Sequence, residues 1–124
     1  MEPTLFAGGK FWASRSAYLL KSPTRGDIVL IRSHSTDRIE IKRIIGLPGE
    51  RLTYRTGSIL INGRPLQEPY VRGRNPVPGD EDSFVTELGP SHYFVLGDNR
   101  LFSRDSRMYG PIARRQILAK VMLP

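Results

Sequence analysis

Apolar residues along the chain arrive in short runs cut by Gly, Pro and Asn: Ile28-Val29-Leu30-Ile31, Ile44-Ile45, Ile59-Leu60-Ile61, Tyr93-Phe94-Val95-Leu96 and Ile117 to Leu123. Such runs, rich in β-branched and aromatic residues, predict strands. After Ile61, the pair Asn62-Gly63 offers the positive φ angles of a tight hairpin turn, and Leu66 begins the returning side. From Gln67 to Pro90 the chain turns to Pro, Gly and acidic residues, which predicts an exposed, loop-rich insertion over about 67–90 with no visible chemistry of its own. Residues 111–118 predict one short helical turn after Pro111, before a closing strand. Neither a repeat nor a second domain is visible, so 1–124 reads as a single β-rich domain.

One stretch does not fit any amphipathic pattern: Gly97-Asp98-Asn99-Arg100-Leu101-Phe102-Ser103-Arg104-Asp105-Ser106-Arg107. The strand predicted at Tyr93–Leu96 delivers this turn to the edge of a sheet, where functional loops concentrate. Asp98 and Asp105 lie among Arg100, Arg104 and Arg107, which favours ion pairs over a proton-sharing carboxylate dyad. The segment therefore reads as a scaffold. A solvated surface loop is the plainer alternative.

A chain of 124 residues can bury about two thirds of its unfolded surface without metals or disulfides. Cysteine is absent, which removes thiolate catalysis and Cys-based zinc sites. The formal charge is +7, compatible with a polyanion, an anionic membrane surface or simply with solubility. No apolar run approaches the roughly 18 residues of a membrane span, and no signal-type hydrophobic region is visible at the N-terminus. His34 and His92 have no ligand partners at metal spacing, so no metal or cofactor is expected. Aromatics do not interleave with Arg and Lys as a nucleic-acid stacking platform would, so no nucleic acid is expected.

Lys42, in Ile41-Lys42-Arg43-Ile44-Ile45-Gly46-Leu47-Pro48-Gly49-Glu50, is either a snorkelling surface cation or a buried amine. If buried, it loses part of its preference for the ammonium form and becomes able to take a proton near neutral pH. This string, together with Met1-Glu2-Pro3-Thr4-Leu5, Arg25-Gly26-Asp27-Ile28-Val29 and the 97–107 segment, resembles the bacterial type I signal peptidases. Those membrane-anchored serine proteases remove signal peptides from exported proteins. Their motifs run Ser-Met-x-Pro-Thr, Arg-Gly-Asp-x-Val, Lys-Arg-x-x-Gly-x-Pro-Gly-Asp and Gly-Asp-Asn-Arg-x-x-Ser-x-Asp-Ser-Arg. All four occur here in that order over essentially the whole chain, with Glu50 replacing the usual Asp.

The resemblance implies an all-β fold, antiparallel β-sheets coiled into a barrel-like signal-peptidase domain. It implies that Lys42 is the general base of a Ser-Lys pair and that Ser103 orients its amine. Asp105 and Arg107 would brace the loop, with Asp98, Asn99 and Arg100 shaping its turn. Met1, Leu5, Leu30 and Ile41 would line shallow apolar pockets for the small residues before the scissile bond, although ordinary core packing explains those side chains equally well. The implied partners are signal peptides of exported preproteins and an anionic membrane surface, with the site on the extracytoplasmic side.

The family's nucleophile is the serine before the Met of its first motif, and that Met is residue 1 here. The sequence as it stands is thus expected not to cleave. Truncation, with a start assigned at this methionine, explains this, as does a natural pseudoenzyme; the intact Lys42, Ser103 and Asp105-Arg107 set favours truncation. Other readings are a non-catalytic signal-peptide-binding or membrane-surface β domain, a Ser103-His92-Asp105 triad, and the self-cleaving repressors. The repressors share the Ser-Lys idea but lack the Gly-Asp-Asn-Arg string.

Overall fold

A computed structural model describes residues 1, 11–33, 36–55, 58–71, 83–100 and 103–122. Ten strands and one short helix are laid out in chain order: β1 (Trp12–Ser14), β2 (Ile28–Arg32), β3 (Ile39–Gly46), β4 (Arg51–Arg55), β5 (Ser58–Ile61), β6 (Arg64–Pro65), β7 (Phe84–Glu87), β8 (His92–Leu96), α1 (Ser106–Tyr109), β9 (Ile112–Ala113) and β10 (Ile117–Met122). One antiparallel sheet runs β1-β10-β2-β3-β8-β9, and a second runs β6-β5-β4-β7. The all-β architecture of paired antiparallel sheets therefore holds.

Two strands are buried on both faces, which explains their unbroken apolar runs. Ile45, Phe94 and Leu96 pack with Leu52, Tyr54, Ile59, Ile61 and Leu88 between the sheets. Ile44, Tyr93 and Val95 point the other way, onto Val29, Ile31, Ile112 and Ile117. Because side chains alternate along a strand, Lys42 shares the Ile44 face of β3 and Arg43 shares the Ile45 face. The two basic residues are thus sent to opposite sides of one strand.

The hairpin forms where the sequence places it, with Asn62 and Gly63 at φ 52 and 84°. A 3-10 turn at Arg114–Gln116 precedes β10, as the pattern after Pro111 predicts. The insertion over 67–90 is different from its expectation. Residues 72–82 lie outside the described set, but β7 pairs with β4 and Leu88 is buried in the core. Phe84 stacks on Tyr54 at 5.3 Å, so a four-residue alternating strand was hidden among the surrounding loop formers. Among the described residues no helix is long and apolar enough to cross a membrane.

Candidate active site

The register of β3 against β8 builds the site. Arg43 pairs with Leu96, so one step further along this antiparallel ladder Lys42 meets Gly97, on the same face. Gly97 has no side chain, and the returning chain fills that space with Ser103. A Cβ on Gly97 would lie 2.1 Å from Ser103 Oγ and 3.9 Å from Lys42 Nζ. Any side chain at position 97 would therefore displace the serine. In the structure Lys42 Nζ sits 3.2 Å from Ser103 Oγ.

Lys42 is 9% exposed, which settles the choice between a surface cation and a buried amine in favour of the latter. Burial pushes its pKa down, and Arg107 adds to this, whereas the charges of Asp105 and Glu40 push it back up. The net direction is down, toward a neutral amine that can accept a proton.

Around this pair the charged side chains form a buried frame. Asp105 accepts from Gly97 N at 3.1 Å and is held by Arg107 through Nε and Nη2, both at 2.9 Å. Arg107 also donates to the Arg100 carbonyl at 2.9 Å, and Ser106 Oγ accepts from Val95 N at 2.9 Å. Asp105 and Arg107, expected to brace the loop, form an ion pair. Among the described residues, Asp98 takes its ion-pair partner from outside its own segment. Arg43 engages it through Nε at 2.8 Å and Nη2 at 2.6 Å, with Asp98 fully buried. Arg100 donates to the Gly97 carbonyl at 2.6 Å and pairs with Glu68. Asn99 sits half-buried in the bend.

Of the apolar candidates, Leu30 and Ile41 are direct cross-strand partners and both half-buried. They lie on the face of the β2–β3 pair opposite to Lys42, as alternation requires. Met1 Sδ accepts from Asp98 N at 3.4 Å, so Met1 stands against the residue that follows Gly97. Leu5 and His34 lie outside the described residues. His92 is exposed, its Nδ1 3.2 Å from the Pro90 carbonyl, while both Asp105 oxygens are taken by Arg107 and Gly97; a Ser103-His92-Asp105 relay has no support in these bonds. Among the described residues no group of His, Asp or Glu is arranged to hold a metal.

Sequence reasoning missed the frame's outer members. Glu50 grips Arg25 at 2.7 and 2.6 Å and accepts from Leu47 N at 2.7 Å. Burial raises its carboxyl, but the Arg25 bonds and charge and the Leu47 bond outweigh that and hold it below the usual range. Glu68 and Tyr70, in the stretch read as carrying no chemistry, reach Arg100 and Arg43. One signal was available: three arginines against two aspartates in 97–107 leave basic groups that must find acids elsewhere.

Comparison with known proteins gives the chain its relatives. The family model described as signal peptidase, peptidase S26, matches residues 1–124. The chain belongs to the signal peptidase family. It is 32% identical to signal peptidase I V of Bacillus subtilis, over 98% of this chain and 77% of the relative. It is 36% identical to signal peptidase I of Bacillus caldolyticus, over 98% and 71%. Among solved structures, a signal peptidase I from Enterococcus faecalis superposes with a TM-score of 0.70 at 33% identity, covering 82% of this chain and 98% of the other. Family membership makes the chain a signal peptidase I type serine protease domain, and it is from this family that roles for the Lys42 cluster can be sought.

Proposed function

We propose that the chain is the catalytic domain of a serine endopeptidase of the Ser-Lys type that removes signal peptides from exported preproteins. The observation that carries this reading is the buried Lys42 amine held 3.2 Å from Ser103 Oγ. In this reading Ser103 orients the amine. Lys42 removes the proton from a nucleophilic serine as it attacks the carbonyl after a small residue, then returns it to the leaving amine. The same lysine next activates the water that hydrolyses the acyl-enzyme. The serine belongs immediately before Met1 in this reading. Met1, packed on the Asp98 amide, supports this by setting that position close to Gly97 and hence to Lys42. Asp98, Asn99, Arg100, Asp105 and Arg107 are support for the site, and Met1, Leu5, Leu30 and Ile41 contribute the apolar lining that accepts small side chains.

A chain extended by that serine is expected to cut a signal-peptide substrate at one bond after an Ala-x-Ala end. Replacing the alanine before the bond by a bulky residue should lower kcat/KM by a factor of about 100 or more, the equivalent of roughly 3 kcal/mol of misfit. Peptide cleavage with mass-spectrometric assignment of the product measures this. Cutting that is indifferent to that residue would contradict the substrate reading.

The domain works at the extracytoplasmic face of the membrane in this reading. Trp12, Leu19 and Leu20 are 79, 78 and 98% exposed, and exposed Arg15 and Lys21 lie beside them in the sequence. Binding to vesicles containing anionic lipid is expected and should weaken as salt rises. Co-sedimentation tests it, and no binding at low salt would remove the membrane surface from the account.

A further inference from the structure

Arg100 carries a guanidinium whose side chain is entirely unexposed, so it needs an anion in direct contact. The acids of its own segment are engaged by Arg43 and Arg107. Glu68 supplies the carboxylate from 32 residues away, its Oε1 and Oε2 lying 3.3 and 2.5 Å from Arg100 Nη1 and Nη2. Two residues on, Tyr70 donates its hydroxyl to Glu68 Oε2 at 3.1 Å. The Tyr70 ring lies 4.0 Å from the Arg43 guanidinium carbon, within the range of a cation–π contact.

We propose that Glu68 and Tyr70 are positioning residues for the Lys42–Ser103 pair, a short strap that fixes the arginines on either side of it. One arm runs from Glu68 through Arg100 to the Gly97 carbonyl, and Gly97 is the surface against which Ser103 closes. The other runs from Tyr70 to Arg43, which holds Asp98 and the Gly26 carbonyl at 2.9 Å and directly follows Lys42 in β3. Glu68 and Tyr70 act through these arginines and not on the reacting atoms. Slackening the strap lets the 97–100 turn move, separates Ser103 from the lysine and admits water. Among the described residues, the groups set against the Lys42 amine or acting on its charge are Ser103, Gly97, Glu40, Asp105 and Arg107. With those charges unchanged, added water restores the ammonium form and moves the amine's titration upward.

The inference rests on the Ser-Lys reading for its catalytic meaning, but its direct test does not need activity. In the chain as it stands, NMR titration of the isotopically labelled Lys42 amine should show Glu68→Gln raising its midpoint by about one pH unit. Tyr70→Phe, which removes only the hydroxyl bond, should move it the same way by less. Ile117→Val, which loosens the other core cluster, to which Tyr70 does not belong, should leave the midpoint where it is. In the serine-bearing enzyme, Glu68→Gln should lower kcat about tenfold, leave KM within about twofold and move the acid limb of the pH profile upward. The proposal is overturned if both strap variants titrate with the parent, if Ile117→Val shifts the midpoint as far as they do, or, should Glu68→Gln not fold, if Tyr70→Phe shows no shift. If the serine-bearing parent does not cleave at all, the catalytic reading fails while the titration still decides whether the strap positions the lysine.

Discussion

Replacing Lys42 with methionine in a serine-bearing chain is expected to abolish cleavage and to raise stability at neutral pH. The activity loss should reach about 10⁴-fold or more, the scale on which removal of a nucleophile's base acts when the two work as a unit. The stability gain follows from burial. The folded state lowers the Lys42 pKa through desolvation, with Asp105 and Glu40 opposing and Arg107 assisting. The unfolded chain keeps the ordinary lysine value. Between those two values the unfolded state binds the extra proton, so the stability of the parent rises with pH across that window. Below the folded-state value the full cost is present, about 1.4 kcal/mol for each unit of depression. Methionine fits the same stem and carries no such cost. The advantage of Lys42→Met in urea denaturation should therefore be largest below the window and shrink toward pH 10. A variant less stable than the parent, with a difference independent of pH, would contradict a strained, desolvated amine.

The second large effect concerns the frame. Asp98→Ala should cost about 3–5 kcal/mol, because it leaves the Arg43 guanidinium, bonded through Nε and Nη2 and 10% exposed, with its buried carboxylate gone. Against a typical total of about 5–15 kcal/mol, that is enough to leave a substantial unfolded fraction. Removing both partners, as Arg43→Met with Asp98→Ala, should cost less than the sum of the single changes, since neither charge is then stranded. Urea titrations of the three variants measure the difference. Additive losses would mean that the pair is not the unit the geometry describes.

How much of this was legible in the sequence varies with the range of the interaction. The Asn62-Gly63 turn, the Tyr93–Leu96 strand and the helical turn before β10 are local patterns, and each appears where the residues place it. Lys42 and Ser103 were legible only through the order of four motifs, because nothing local says that residues 61 apart will meet. The pairing of charges was the least legible. Asp98 reaches Arg43 across 55 residues and Arg100 reaches Glu68 across 32. Those choices depend on which face of β3 each basic residue takes and on how the 67–71 segment crosses the turn, and both are products of the tertiary fold. The β7 strand escaped for a related reason: its half-exposed pattern over four residues is too short to stand out beside Pro, Gly and acidic neighbours.

The central claim is that Lys42 and a serine before Met1 form one catalytic unit. The measurement that tests it most directly is cleavage of a signal-peptide substrate by the chain as it stands, by the chain with that serine added, and by the latter carrying Lys42→Met. Cleavage confined to the serine-bearing chain, and lost with Lys42→Met, is the predicted result. A serine-bearing chain that binds signal peptides but does not cut them, or one that cuts equally well without Lys42, would contradict it.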